Sequence, residues 1–147
     1  MPSDTQPTPA VCNCLALRQA ARHVTQFYDQ HLASTGLRTT QFSILANLRW
    51  RGPMTINALA RELVMDRTTL GRTMLPLERD GLISIEDGTV DRRSKELHLT
   101  KAGADRLRAA GKLWRDAQTQ FDARFGGARA AKLRDELHAL VCSELRS

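Results

Sequence analysis

The chain has 147 residues, of which 41% are hydrophobic. That composition can bury one sizeable core, which excludes a disordered chain and a fibre and predicts a single globular domain. No apolar run approaches the roughly 20 residues of a membrane-spanning helix, and no basic segment followed by an apolar stretch opens the sequence. Three cysteines are an odd number for a disulfide framework. We therefore expect reduced thiols and a soluble, cytoplasmic protein with no membrane partner.

The formal net charge of +6 predicts an anionic partner, with nucleic acid ahead of an acidic membrane surface. Most of the basic residues are arginines, whose planar guanidinium suits phosphate and guanine edges, although a GC-rich genome would enrich arginine without any functional reason. Between Thr55 and Lys101 there are eight basic and eight acidic residues. DNA affinity must therefore depend on the placement of charges rather than on their sum.

A tail and two helices are predicted first. Residues 1–11 are rich in proline and lack periodicity, which predicts a flexible tail. From about position 14, apolar residues recur at spacings of three and four, which predicts a long helix ended by Gly36. Thr39 or Thr40 can cap a second helix, which the Arg-Gly-Pro stop at 51–53 closes.

A helix-turn-helix is predicted next. Thr55 caps a short helix that runs to about Leu63, and Asp66 caps a second helix that runs toward Arg79. Pro76 lies inside the second helix, where it removes a backbone hydrogen bond and should bend the last turn. The residues of this helix expected to face the core share helical spacing: Leu70, Met74 and Leu77.

A protruding hairpin is predicted after this helix. Residues 82–85 and 96–99 have the composition of two strands. The segment 86–95 between them is polar and charged and contains Gly88, which is typical of an exposed hairpin tip. The sequence therefore predicts a wing beside the helix-turn-helix.

Two long amphipathic helices are predicted after the wing. Thr100 can cap the first, and the Gly126-Gly127 pair separates it from the second. Their apolar faces and that of the first helix exceed what the compact winged part can cover, so we expect a second copy of the chain to cover them. A symmetric dimer would present two recognition helices to a pseudo-palindromic DNA site. The expected fold is mainly α, an α+β winged helix, with a winged helix-turn-helix at 38–100 and dimerisation helices at 12–37 and 101–147.

Three stretches around the wing carry a family resemblance. They are the run Leu77-Glu78-Arg79-Asp80-Gly81-Leu82-Ile83, the pair Asp91 and Arg93 separated by one residue, and Leu99-Thr100 before a helix. With the order of the helices, they resemble the MarR-type regulators. The resemblance implies a triangular homodimer that represses promoters and releases DNA when a small phenolic or other lipophilic ligand binds or a cysteine is oxidised. Pro76 and the Cys-Asn-Cys motif at 12–14 depart from the commonest pattern of that family.

The first half of the recognition helix supplies the candidates for contacts with base edges, because that end of the helix enters the major groove. The candidates are Arg67, Thr68, Thr69, Arg72 and Thr73. Arginine can bond guanine bidentately, and threonine can contact a thymine methyl group or a phosphate oxygen. A solvated helix face is the alternative interpretation.

In the wing, the resemblance implies that Arg93 enters the minor groove and that Asp91 pairs with it and holds its orientation. Arg92 and Lys95 would add phosphate contacts. A charged turn in an ordinary exposed hairpin is the alternative. Because bound phosphates release counterions, we expect DNA binding to weaken with salt.

The cysteines are candidates for sensing a signal. Cys12 and Cys14 lie at the start of the first helix, and Cys142 lies near the end of the last. In the MarR-type dimer those chain ends pack together, so the three thiols could be oxidised or could hold a thiophilic ion such as arsenite. A closed zinc site would need a fourth ligand that the sequence does not offer. Cysteines that act only as small hydrophobic residues are the alternative.

A small-molecule pocket is the competing sensor, and the resemblance implies a position between the dimer helices and the winged arm. Its candidate residues are His23, Phe27, Tyr28, Asn47 and Trp50. For the histidine and the tyrosine, a satisfied residue of an interface is the alternative, and the five residues identify no effector.

Catalysis finds no support in the sequence. There is no nucleophile motif, no phosphate-binding glycine loop and no HExxH, and the four histidines lack metal spacing, so we expect no enzyme, no metal and no cofactor. The expected function is sequence-specific regulation of transcription through double-stranded DNA, as a repressor released by a small molecule or an oxidant. The alternatives are a DNA-architectural protein that binds many sequences alike and a protein-interaction module, whose activity Arg93→Ala would leave unchanged.

Overall fold

The computed structural model describes residues 6–145. The described elements follow the predicted order, with one additional strand. In chain order they are α1 (Asn13–Leu32), α2 (Thr39–Arg51), β1 (Met54–Thr55), α3 (Ile56–Glu62), α4 (Arg67–Arg79), β2 (Ile83–Asp87), β3 (Lys95–Leu99), α5 (Lys101–Phe125) and α6 (Gly127–Cys142). The mainly α winged-helix fold expected from the sequence is confirmed.

The strands form one antiparallel sheet in the order β1-β3-β2. β2 and β3 make the hairpin of the wing, with Ile83 opposite Leu99 and Asp87 opposite Lys95. Both strands extend further toward the hairpin tip than predicted, so the tip is 88–94 and not 86–95. β1 is the strand that the sequence does not predict, because two residues are too few to show an alternating pattern.

One hydrophobic core joins α2, α3, α4 and the sheet. Leu70, Met74 and Leu77 of α4 are buried, each less than 5% exposed, which confirms the predicted inner face of this helix. Ala110 of α5 belongs to the same cluster, so α5 is fixed against the winged unit. The largest fully buried side chains are Leu32, Ile44, Leu45, Leu59, Leu70, Leu77 and Leu97.

Three predicted helix caps are confirmed. The Thr55 hydroxyl accepts the backbone N–H of Ala58 at 3.1 Å, and the Thr100 hydroxyl accepts that of Gly103 at 3.0 Å. Asp66 caps α4 in the same way. Each cap satisfies a backbone donor that the first turn of a helix leaves without a partner.

The expected threonine cap of α2 is wrong. Thr39 is the first residue of the helix, and Arg38 occupies the N-cap position. Oδ1 of Asp29, in α1, accepts both the backbone N–H and the hydroxyl of Thr39 at 2.7 Å. Gln41 Oε1 accepts the N–H of Arg38 at 3.0 Å. The first turn of α2 is therefore bound by a carboxylate of the preceding helix and not by a threonine of its own, and this contact joins α1 to α2.

The end of α4 and the extent of the N-terminal tail agree in part with the predictions from the sequence. α4 continues through Pro76 and ends at Arg79 as predicted. Of the tail predicted at 1–11, residues 1–5 lie outside the described residues, whereas Pro9–Val11 form a turn of 3-10 helix. Proline suits the first position of such a turn because its φ is already set.

The outer helices leave apolar surface uncovered. α6 packs on α5, while Leu133, Leu137 and Leu140 are 36–39% exposed and Val141 is 62% exposed. These residues share one face of α6 by helical spacing. Within residues 6–145, no helix has the length and apolar character needed to cross a membrane.

Candidate nucleic-acid interface

The start of α4 is held by a network around Asp66. Its Oδ1 accepts the backbone N–H of Thr69 and its Oδ2 accepts the Thr69 hydroxyl, both at 2.8 Å. These hydrogen bonds, first the one from the backbone of Thr69, lower the pKa of Asp66, because they stabilise the charged carboxylate. These two hydrogen bonds from Thr69 to Asp66 therefore hold the first turn of α4 in place.

The outward face of α4 carries most of the residues predicted to contact bases. Arg67, Thr68 and Arg72 are exposed. Thr68 and Arg72 lie opposite the buried face, and Arg67 is the first residue of the helix. Leu75 shares this face and is 62% exposed, although the sequence-based candidates omit it. The signal that could have found it is its spacing of three from Arg72 and seven from Thr68.

Two of the predicted threonines use their hydroxyl hydrogens within the helix. The Thr69 hydroxyl donates to Asp66, and the Thr73 hydroxyl donates to the carbonyl oxygen of Thr69 at 3.0 Å. A phosphate oxygen can only accept, so these two hydroxyls would have to break an internal bond to reach one. Thr69 and Thr73 are therefore better suited to contact DNA through their methyl groups, or through their hydroxyl oxygens as hydrogen-bond acceptors.

The tip of the wing is a tight turn built on backbone hydrogen bonds. Gly88 N–H donates to the carbonyl of Ser94 at 2.7 Å, and Ser94 N–H donates to the carbonyl of Asp91 at 3.0 Å. A Cβ on Gly88 would stand 2.4 Å from the carbonyl oxygen of Asp91. Only glycine fits this position without moving the turn.

Asp91 has a different role from the one the resemblance implies. Its Oδ1 accepts the backbone N–H of Arg93 at 3.0 Å, and the ion pair expected between the two side chains does not form in the described structure. A short aspartate side chain readily reaches the N–H two residues on, which is the usual aspartate turn. Asp91 thus shapes the backbone that presents Arg93, and the exposed guanidinium pairs with no carboxylate of residues 6–145.

The stem of the wing pairs charges across the two strands. Lys95 forms an ion pair with Asp87, which lies opposite it. Glu86 and Glu96 are also opposite each other, and Nε2 of His98 lies 3.0 Å from Glu86 Oε2 and 3.3 Å from Glu96 Oε2. Nε2 of His98 therefore lies between the carboxylates of these two strands.

Local partners engage nearly all the acidic side chains of this region. Each of the following has a hydrogen bond or an ion pair within the chain: Glu62, Asp66, Asp80, Glu86, Asp87, Asp91 and Glu96. By contrast, Arg67 and Arg72 on α4 and Arg92 and Arg93 at the wing tip form no ion pair within residues 6–145. The numbers of basic and acidic residues are equal, but their arrangement is uneven: nearly all the acidic side chains have partners within the chain, and the exposed arginines are available to an external anion.

All three cysteines are exposed and reduced. Cys12 caps α1, since its Sγ accepts the backbone N–H of Leu15 at 3.4 Å. Cys12 and Cys14 line a groove of about 360 Å³ together with Leu15, Arg18 and Arg22. Cys142 is not among the residues of this groove, and no cluster of histidine, cysteine and acidic side chains suited to a metal ion occurs in the part of the chain that the structure describes.

Tyr28 joins α1 to α5. Its hydroxyl donates to Oε1 of Gln118, and its ring meets that of Phe27 edge to face, with 5.6 Å between the centroids. Burial, and then the charge of Asp122, raise the pKa of Tyr28. The Tyr28 hydroxyl therefore already has a hydrogen-bond partner within the chain.

The other pocket candidates are scattered. Asn47 donates to the carbonyl of Ser43 at 2.8 Å, and Trp50 is 88% exposed at the end of α2. His23 is also exposed. A groove of about 660 Å³ lies elsewhere, between α5 and the turn after α1, and its lining residues are Ser34, Thr35, Gly36, Arg106, Ala109, Lys112 and Leu113.

Comparison with known proteins gives consistent matches. A family model described as the MarR family matches residues 37–95. The helix-turn-helix-type transcriptional regulator YwoH of Bacillus subtilis is 34% identical over 85 residues, which are 58% of this chain and 61% of YwoH. The match therefore spans about three fifths of that relative's length.

The structural matches extend over most of the chain. The transcriptional regulator MosR of M. tuberculosis superposes with a TM-score of 0.79 at 33% identity, over 90% of this chain and 95% of MosR. A structure of MosR in complex with DNA matches with a TM-score of 0.79 at 36% identity, over 88% of this chain and 93% of that one.

Proposed function

The chain belongs to the MarR family, whose members are transcriptional regulators and not enzymes, and from this premise we propose that it binds one pseudo-palindromic site in double-stranded DNA as a homodimer and represses transcription there. The DNA complex of MosR supports the proposal by similarity. As a regulator of transcription, the protein would act in the cytoplasm.

The observation that carries the proposal is the uneven arrangement of charge. Arg67 and Arg72 on the recognition helix and Arg92 and Arg93 at the wing tip are exposed, whereas the neighbouring carboxylates have partners within the chain. Arginine forks of this kind fit guanine edges, phosphates and a narrow minor groove. A non-specific architectural protein would need the phosphate contacts alone, whereas exposed arginines on α4 that suit guanine edges support the regulator.

The uncovered apolar face of α6 supports the homodimer. Leu133, Leu137, Leu140 and Val141 lie along that face, and Leu17 of α1 is also exposed, at 41%. A second copy of the same helices would bury these residues by an isologous contact. The dimer would place two copies of α4 for two half-sites of the DNA.

For the signal, we propose oxidation of the Cys12 and Cys14 pair. A hydroperoxide would convert one thiolate to a sulfenic acid and leave as an alcohol, and the second thiol would then form a disulfide with loss of water. Forming that disulfide would draw the Cys12 Sγ away from the N–H of Leu15, which it now caps. The start of the dimer helices would therefore change with the redox state.

A small-molecule effector is the competing signal. The groove beside Ser34, Thr35 and Gly36 supports it, because Arg106 and Lys112 line that groove and suit an anionic ligand. Tyr28 does not line this groove or the cysteine groove. An effector there would have to act through α5, which borders the winged unit.

The test of DNA recognition is selection of bound duplexes from a random pool with the purified full-length protein, followed by gel-shift titration. We expect one pseudo-palindrome to be enriched and to bind at least 10³-fold more tightly than a scrambled duplex of equal length. Transcription from a promoter containing that site should fall when the protein is added. Equal binding to all duplexes would instead support the architectural alternative.

The test of the signal uses the same duplex with reductant, a mild hydroperoxide or arsenite. Wild-type protein should lose binding on oxidation and regain it with dithiothreitol, whereas the double variant Cys12→Ser, Cys14→Ser should keep it. Cys142→Ser is the matched control and should respond like the wild type. If the double variant still responds, the cysteine pair is not the sensor.

A further inference from the structure

Gly71 and Leu75 form one strip on the outward face of α4, and the chain's own packing explains neither residue. We propose that this strip, the α4 apolar strip, receives thymine methyl groups in the major groove and so sets the base preference of the protein. This inference rests on the proposed DNA-binding function and assigns a base to part of that surface.

Gly71 is a glycine in the interior of a helix, where it costs stability relative to alanine. Its φ is not among the positive values found in the chain. A Cβ added to it would have no heavy atom within 4 Å apart from the nearby backbone of its own helix. Nothing among the described residues therefore requires glycine here, whereas a partner that approaches the helix closely would.

Leu75 lies one turn after Gly71 and is 62% exposed. Side chains of a helix lean toward its N-terminus, so Leu75 covers surface on the turn that carries Gly71 and Arg72. The helix buries its other apolar residues, among them Leu70, Met74 and Leu77. An exposed leucine in this position is available to a partner of the helix.

The chemistry of the surroundings identifies that partner. Arg67 and Arg72 beside the strip favour a polyanion, while Gly71 and Leu75 themselves cannot bond a phosphate. In the major groove of DNA the apolar group that base pairs present is the C5-methyl group of thymine. A surface that is basic around an apolar strip thus fits a half-site with thymine next to the bases read by Arg72.

The test replaces each thymine of the selected duplex by uracil, which removes only the methyl group, and measures binding by full-length protein. For the wild type, uracil at one or two positions in each half-site should weaken binding about three- to tenfold. Leu75→Ala should lose a similar factor on the thymine duplex and should no longer distinguish uracil from thymine at one of those positions. Val11→Ala, which truncates an aliphatic side chain that is 77% exposed before α1, is the matched control and should behave like the wild type.

Gly71→Ala provides an independent readout. The variant should melt at a temperature no lower than the wild type, because alanine favours the helix, yet bind the selected duplex more weakly than the wild type does. Tight binding by Gly71→Ala would overturn the close approach proposed at this residue.

The outcomes separate the two proposals. If the wild type selects no sequence, the proposed function fails. If it selects a sequence but no uracil substitution matters, or if Leu75→Ala keeps the full sensitivity to uracil, the function stands and the α4 apolar strip is wrong.

Discussion

Gly103 lies directly against the backbone of Leu82, so that a Cβ on Gly103 would stand 2.0 Å from the Leu82 carbonyl oxygen. The same junction contains two hydrogen bonds from Thr100, one from its N–H to Leu82 at 3.2 Å and one from its hydroxyl to the Gly81 carbonyl at 2.6 Å. The first turn of α5 is therefore fixed to the base of the wing.

Gly103→Ala should destabilise the protein by about 1–3 kcal/mol, because the added methyl group meets a backbone atom that cannot turn away. The measurement is the urea midpoint of unfolding for the wild type and the variant. Gly111→Ala is the matched control in the same helix, since a Cβ there meets nothing within 4 Å apart from its own helix backbone. The control should leave stability unchanged or raise it, and a loss equal to that of Gly103→Ala would contradict the role of the junction.

Asp66 should make the stability of α4 depend on acid pH. Its pKa is lowered from the ordinary 3.8 by hydrogen bonds in the folded state. The stability it contributes is therefore present above the ordinary pKa and is lost as the pH falls through the lowered value. Thermal unfolding of the wild type and of Asp66→Asn, measured from neutral pH to about pH 2, should show a difference that disappears in acid. A difference independent of pH would contradict the assignment.

Arg93→Ala should weaken DNA binding and reduce the slope of log affinity against log salt by about 1, because one cation that neutralises the DNA phosphates is lost. Arg108→Ala is the control, because its guanidinium pairs with Asp105 in α5 at 3.2 Å. We expect an unchanged slope for Arg108→Ala. Equal affinity and an equal slope for Arg93→Ala and the wild type would show that Arg93 does not contact the DNA.

Tyr28→Phe should lower the free energy of unfolding by about 1 kcal/mol, since it removes the hydrogen bond to Gln118 and leaves the ring in place. Thermal or urea unfolding measures the loss. Binding of the selected duplex by the remaining folded protein should be unchanged. A loss of response to small molecules with no change in stability would instead indicate a direct contact with an effector.

Sequence patterns predict the elements whose signals are local. The inner face of α4 follows from the spacing of Leu70, Met74 and Leu77, and the caps at Thr55, Asp66 and Thr100 depend on residues three positions away. The cap of α2 could not be predicted, because Asp29 is ten residues from Thr39 and reaches it only after α1 and α2 have packed.

The candidate site shows the same division between local and distant signals. The recognition helix and the wing follow from residue order, so Arg67, Arg72 and Arg93 were accessible to sequence reasoning. The bond from Asp91 to the Arg93 backbone replaces the expected ion pair, because the choice between them depends on the conformation of the turn. Leu75 was missed because an apolar residue in a helix is normally read as core.

The two hydrogen bonds from Thr39 to Asp29 also determine how motion would pass through the molecule. They attach α1 to the first turn of α2, and the Gly103 junction attaches α5 to the wing. The helices α1 and α5 are therefore each bound directly to the winged unit. In the proposed dimer, a small rotation at the subunit contact would swing each winged unit as a rigid arm. A signal could then act by changing the distance between the two recognition helices, while the structure of each winged unit stays the same.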